Sequence, residues 1–157
     1  MITRKNSMIV AAAVLGAVIL SGCRRPELVS PTAANKLADR FYGALTHGDV
    51  TSAMKAFAPD FDATNWPRLL TNLQVRYGRV TSANVSTLSL AAAGGQPCYL
   101  MTFQVQREHL SSSERLFVCA TKDRAIWFIR GHELTRLDTN QSIAAGVLPS
   151  ETGVRVP

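Results

Sequence analysis

The sequence has few of the residues that most often carry catalysis or bind metal. Its three histidines, His47, His109 and His132, lie far apart and lack the spacing of a metal-ligand cluster. We expect all three on the solvated surface, with His132 pointing outward from a strand. No serine lies in a nucleophile elbow, and Gly94-Gly95 lacks the pattern of a phosphate-binding loop. The sequence therefore predicts no catalytic residue, no metal and no cofactor.

The charge is moderate and has no strong local concentration. Lys and Arg number 17 against 11 Asp and Glu, for a net charge of +6 over 157 residues. Because the basic residues are scattered, the sequence argues against a nucleic-acid partner. It also contains no internal repeat, and its length suits one compact domain.

Long hydrophobic runs are missing except for one near the N-terminus. Residues 8–20 (MIVAAAVLGAVIL) are all apolar or glycine and follow two basic residues. Thirteen helical residues span about 20 Å, less than the ~30 Å hydrocarbon core of a bilayer. The run is followed by two small residues and Cys23, the order of a cleaved secretory signal. An ordinary signal peptide and an uncleaved anchor are the alternatives.

Residues 20–23, Leu-Ser-Gly-Cys, resemble the lipobox of bacterial lipoproteins, in which a peptidase cuts before a lipidated cysteine. The resemblance implies a signal peptide over 1–22, acyl chains such as palmitate on Cys23, and a tether over 23–29. Several acyl chains give stable membrane anchoring. Arg24 follows the cysteine, and by resemblance to enterobacterial sorting this favours the outer over the inner membrane. We therefore expect the protein on the periplasmic side of the outer membrane, with the membrane as a partner through Cys23.

The two remaining cysteines, Cys98 and Cys119, would lie in an oxidising compartment, so we expect a disulfide. Both fall on strands that should pair as a hairpin. A register that pairs them places the apolar residues of both strands on one face but leaves only residues 108–109 in the turn. The serines at 111–113 favour a later turn, which would separate the sulfurs unless a bulge restored the register.

Hydrophobic periodicity predicts three helices followed by four strands. The expected N-terminal caps are Ser30, followed by Pro31, for the first helix, Asp49 for the second, and Asn65 or Thr64 for the third. The apolar residues of each helix recur every three to four positions. The period then changes to two and predicts strands within the segments 80–90, 98–107, 114–122 and 125–137. Gly131 in the last strand predicts a bulge or bend.

This order predicts an α+β domain over residues 30–138, with the helices on one face of a curved four-stranded antiparallel sheet. Residues 139–157 lose the pattern and are predicted to form a loosely ordered tail.

The helix and turn over residues 41–49 (FYGALTHGD), together with Trp66 and the segments 77–80 and 127–132, resembles the nuclear-transport-factor-2-like superfamily (α+β cone, cystatin-like). More narrowly, it is similar to small bacterial secreted domains of unknown function. The resemblance covers residues 33–137 and implies a pocket between sheet and helices, for which Tyr42, Trp66 and Tyr99 are candidates. This fold hosts enzymes, binders and scaffolds alike.

Three functions are compatible with these patterns. The first is a non-enzymatic, lipid-anchored module that binds an envelope protein or a small ligand and forms a homodimer through its sheet. The second is a small-molecule binder or isomerase-like enzyme, which requires an open cavity with Asp39 or Glu133 buried in it. The third is an inhibitor or immunity-type module. The first and third predict an interior filled by its own side chains and an exposed apolar sheet face with Phe117, Phe128 and Leu134.

Overall fold

The computed structural model describes residues 30–93 and 95–146, and it has the expected α+β class. The expected signal peptide, the lipidated Cys23 and the tether lie outside these residues. The helices are α1 (Thr32–Thr46), α2 (Val50–Met54) and α3 (Asn65–Tyr77), and the strands are β1 (Val80–Ala93), β2 (Gln96–Arg107), β3 (Leu110–Ala120), β4 (Trp127–Arg136) and β5 (Ser142–Gly146). In the described part of the chain, no helix has the length and apolar character needed to span a membrane.

Local hydrogen bonds explain where the shorter helices begin. The carboxylate of Asp49 accepts a 2.9 Å hydrogen bond from the Ser52 amide and caps α2, as the sequence predicts. The cap of α3 differs from expectation, because the carboxylate of Asp62 accepts the amide of Asn65 at 3.0 Å. The side chain of Thr64, one of the two expected caps, makes no capping hydrogen bond. Asp62, three residues before the first residue of α3, thus provides the side-chain oxygen that a capping residue would provide.

The five strands form one antiparallel meander in the order β1-β2-β3-β4-β5. The expectation of four strands is therefore wrong by one. Residues 142–146, which we expected in a loose tail, pair with β4 and place Ile143 and Ala144 against the main core. The rest of that tail, from residue 147, lies outside the described residues.

The β2–β3 hairpin has the register that pairs the cysteines. Cys98 lies opposite Cys119 and Arg107 opposite Leu110, so the turn contains only residues 108–109. Two amides of the turn donate outward, Glu108 to the Arg79 carbonyl at 3.3 Å and His109 to the Tyr77 carbonyl at 2.9 Å. These bonds fix the early turn. The cysteine sulfurs are bonded, with the Cα atoms 4.1 Å apart, which confirms the expected disulfide.

A bulge in β4 changes which face its side chains occupy. Phe117 lies opposite Gly131 but Val118 lies opposite Ile129, so Arg130 is an extra residue. The bulge expected from Gly131 is thus confirmed. An extra residue reverses the alternation of faces, and His132 is consequently 0% exposed. The expectation that His132 faces outward is wrong for this reason.

The same reversal turns Leu134 inward, into the main core. That core lies between the helices and one face of the sheet. On the opposite face, Phe117 is buried with Ala91 and the disulfide in a smaller cluster. The expectation that Phe117 and Leu134 are exposed is therefore wrong.

Candidate functional site

A fully buried carboxylate, that of Glu114, contacts Tyr42 of the main core. One of its oxygens accepts hydrogen bonds from Arg107 Nη2 at 3.0 Å and Ser112 Oγ at 3.1 Å. The other accepts from Tyr42 Oη at 3.2 Å and pairs with His132 Nε2 at 2.9 Å. All five side chains are buried. Four donors match the four lone-pair positions of a carboxylate, so the group is saturated by the protein itself.

The protonation of His132 follows from its second neighbour. The indole Nε1 of Trp66 lies 3.3 Å from His132 Nδ1. An indole N–H can only donate, so Nδ1 accepts and the ring proton sits on Nε2, from which it donates to Glu114. The ring of Phe41 packs edge-on against the imidazole at 5.4 Å. The pair of hydrogen bonds holds one neutral tautomer in a fixed orientation.

Electrostatics keep the Glu114 carboxyl ionised. Burial alone raises its pKa, but the hydrogen bond from His132, followed by the positive charge and the hydrogen bond of Arg107, outweigh burial and lower the pKa to about 2. Burial, followed by the negative charge of Glu114, raises the pKa of Tyr42 well above its usual 10. The network therefore contains an ion pair between Glu114 and Arg107 and a neutral tyrosine.

This buried network joins α1, α3, β2, β3 and β4 and holds two of the three pocket candidates, Tyr42 and Trp66. The third, Tyr99, is buried elsewhere and stacks on Trp127 with ring centroids 6.0 Å apart. Asp39 is exposed on α1. Glu133 points away from the core and accepts a 2.5 Å hydrogen bond from Arg115 Nε. His47 and His109 are exposed, as expected.

The sequence interpretation missed Glu114, Arg107 and Ser112. A signal for them exists, because Ser112 and Glu114 continue the core-facing alternation of Leu116 and Val118 along β3. A polar residue at a core-facing position of a strand requires a buried partner. Arg107 is that partner for Glu114.

A surface groove of about 390 Å³ is the second notable feature, and its volume falls within the range of ligand pockets. It opens between α1, α2 and the beginning of β4. The segment after α2 pairs with β4, since the Ile129 amide donates to the Ala56 carbonyl at 2.8 Å and the Ala58 amide donates to the Ile129 carbonyl at 3.0 Å. This pairing holds Lys55 and Ala56 beside residues 126–128 and forms one side of the groove.

The groove has an apolar interior and a cationic edge. Leu37, Phe41 and Ala56 are its buried members, while Ala44 and Trp127 are half-buried. Its remaining members are Ile126 and Phe128, together with three polar residues, Ser52, Arg40 and Lys55. No carboxylate lines it.

The two cations differ in how far they are neutralised. Asp49 interacts with Lys55, whose charge contributes, after hydrogen bonds from Ser52, to lowering the pKa of the Asp49 carboxyl. Arg40 has no ion pair among the described residues, and its Nε donates to the Lys36 carbonyl at 3.4 Å. The groove is therefore lined by two cationic side chains and no carboxylate, and Arg40 is the cation without an acidic partner among the described residues.

The described residues contain no group of three or more His, Cys, Asp or Glu side chains arranged to hold a metal ion. Comparison of the chain with protein-family models, with curated proteins and with solved structures found no match. Within the described residues, the buried network and the groove are two features from which a function can be inferred.

Proposed function

We propose that this protein is a lipid-anchored binding module of the bacterial envelope. It is attached through acyl chains on Cys23 and faces the periplasm from the outer membrane. The lipobox-like residues 20–23 support the anchor. The Cys98–Cys119 disulfide is in keeping with an oxidising compartment. Three helices followed by an antiparallel meander are the element order of the nuclear-transport-factor-2-like cone, and we propose that kinship for the domain.

The observation that carries the binding role is the groove. It combines an apolar interior with a small number of polar groups at its edge, the usual composition of a ligand site. It is also open to solvent beside Ile126, which is 54% exposed. We place the binding site of the module here, between α1 and the beginning of β4.

A binding role is favoured over proton-transfer chemistry of the isomerase type. Such chemistry needs an acid or base within an apolar cavity. Tyr42 and Trp66 instead fill the interior, and the four donors around Glu114 occupy its carboxylate. Neither Asp39 nor Glu133 lines the groove. No particular feature favours the inhibitor or immunity-type alternative.

A second copy of the chain is the protein partner that the sheet favours. The edge strand β1 contains no charged residue in its 14 positions, and it carries the exposed side chains of Val85, Leu88 and Leu90. Long uncharged edge strands offer unpaired backbone groups to another strand. Register shifts interrupt β1 only before Thr87, so residues 87–93 are regular, and no other described strand pairs with their outer edge. We propose that the homodimer forms through this edge.

Site-specific photo-crosslinking in intact cells tests the binding role. A photoreactive residue at position 126 reports on the groove, and one at position 75 is the matched control, because Val75 is an exposed hydrophobic residue on α3. We expect an adduct at 126 that is absent at 75 and that disappears when Ala44→Phe fills the groove. Equal labelling at both positions, or none at 126, contradicts the proposal.

The anchor is tested separately by Cys23→Ala. This substitution should abolish incorporation of a palmitate analogue and release the protein from the membrane fraction, because the acyl chains are lost. A variant that remains membrane-bound shows that the anchor lies elsewhere.

A further inference from the structure

We infer that the groove binds a single-chain amphiphile with an anionic headgroup, such as a fatty-acid carboxylate. The inference rests on the proposed binding role and names the class of ligand. Its headgroup would lie at the edge near Arg40 and Lys55, and its hydrocarbon chain would lie along the apolar interior.

The apolar interior of the groove favours a ligand with a hydrocarbon chain. Leu37, Phe41, Ala44 and Ala56 offer only carbon to a ligand through their side chains. A ligand with polar groups along its length would lose hydration there without regaining hydrogen bonds. Trp127 completes the apolar lining, and its ring is held in place by stacking on Tyr99. The lining is therefore largely preformed for an apolar chain.

The cationic edge of the groove favours a ligand whose headgroup has a negative charge. Arg40 projects from α1 and Lys55 directly follows α2, and both are exposed members of the groove. Asp49 compensates Lys55 in part, whereas Arg40 has no acidic partner in the described part of the chain. A carboxylate or phosphate can accept two parallel hydrogen bonds from a guanidinium, an arrangement that a neutral or cationic headgroup cannot reproduce.

Calorimetric titration of the full chain carrying Cys23→Ala tests the inference. The probes share one C12 chain and differ in charge: dodecanoate, dodecyl maltoside and dodecyltrimethylammonium, each below its micellar concentration. We expect dodecanoate to bind about tenfold more tightly than the neutral probe, the value of one charge-assisted hydrogen bond, and the cationic probe to bind most weakly. Each methylene removed from the carboxylate series should weaken binding by up to about fourfold.

Two double variants with the same change in net charge separate local recognition from general attraction. Arg40→Gln with Lys55→Gln should weaken dodecanoate binding about tenfold and leave the neutral probe unchanged. Lys36→Gln with Arg68→Gln alters exposed residues outside the groove and should affect neither probe. Ala44→Phe should weaken all three probes. Trp127 fluorescence should change on binding, and Trp127→Phe should remove that signal.

The contrary outcomes point to different errors. Equal binding of the three probes, abolished by Ala44→Phe, overturns the anionic class but leaves the groove as the binding site. Binding to phosphatidylglycerol vesicles alone, unaffected by Ala44→Phe, means that the cations contact a membrane surface, and the inference is wrong. If no probe binds, the ligand class is wrong, and crosslinking at position 126 decides independently whether the groove binds anything.

Discussion

Trp66 and His132, which are 66 residues apart in the chain, are joined by a hydrogen bond from the indole Nε1 to the imidazole Nδ1. This bond connects α3 to β4 and sets the tautomer that lets His132 donate to Glu114. The helix layer and the sheet are thereby held in one relative position by a directional contact, in addition to the non-directional packing of the core.

We expect Trp66→Phe to destabilise the domain by about 1–3 kcal/mol, because the buried Nδ1 of His132 loses its donor while most of the aromatic packing is kept. Trp127→Phe is the matched control, since the Trp127 side chain is only half-buried and is not part of the network. Denaturant unfolding monitored by circular dichroism measures both. Equal losses for the two variants mean that the hydrogen bond contributes nothing beyond packing.

We expect Glu114→Gln to destabilise the domain by about 3–5 kcal/mol, because it leaves the Arg107 guanidinium buried without its counter-charge. Glu133→Gln changes the same functional group on the opposite face of the sheet, where the carboxylate and its Arg115 partner are partly exposed. That control should cost less than about 1 kcal/mol. Similar unfolding midpoints for the two variants would show that the buried ion pair is not needed for stability.

The stability difference between wild type and Glu114→Gln should depend on pH. The pKa of Glu114 is about 2 in the folded protein against an ordinary value of 4.5. Stabilisation by the ionised carboxylate is therefore fully present above pH 4.5 and is lost as the pH falls towards 2. Unfolding curves at pH 7, 5, 4 and 3 should show the two proteins converging below pH 4.5. A constant difference across the series contradicts the lowered pKa.

Much of the strand pairing could be predicted from the sequence, because core-facing and outward-facing residues alternate regularly along β2 and β3. Once Cys98 is paired with Cys119 across the short turn, all the remaining residue pairs of that hairpin are determined. In β4 the presence of a bulge was signalled by Gly131, but its consequence was not followed through: one extra residue, Arg130, exchanges the faces of all later positions. His132 and Leu134 were misplaced for this reason.

The candidate site was less accessible to sequence interpretation than the sheet. Alternation in β3 places Glu114 on the core face, yet a single acidic residue in a strand is more often solvated than buried. The groove depends on how closely α1, the end of α2 and β4 approach one another. Nothing local to Arg40 or Lys55 indicates that they share a surface, because that proximity arises from the pairing of residues 56–58 with Ile129.

Loss of the disulfide should destabilise the domain without changing its register. The bond closes a loop with a sequence separation of 21, for which the chain-entropy model gives about 3 kcal/mol. We expect Cys98→Ala with Cys119→Ala to fold with a lowered unfolding midpoint, because the two-residue turn anchored on Tyr77 and Arg79 still sets the pairing. Mass spectrometry after alkylation without reductant should find no free thiol at these positions in the wild type. Two alkylated thiols there contradict the bond.

Substitution at the edge of the sheet should alter the oligomeric state. Leu88 lies in the regular part of β1 and is 39% exposed, so a lysine there would place a charge on each copy within the paired edge. We expect the full chain carrying Cys23→Ala to sediment as a dimer and the further change Leu88→Lys to give a monomer. Val75→Lys, at a position 82% exposed on α3, adds the same charge away from the edge and should leave the dimer intact. Sedimentation velocity over a concentration series measures the three proteins. A monomer before any change at Leu88, or a dimer that persists after it, shows that β1 is not the dimer interface.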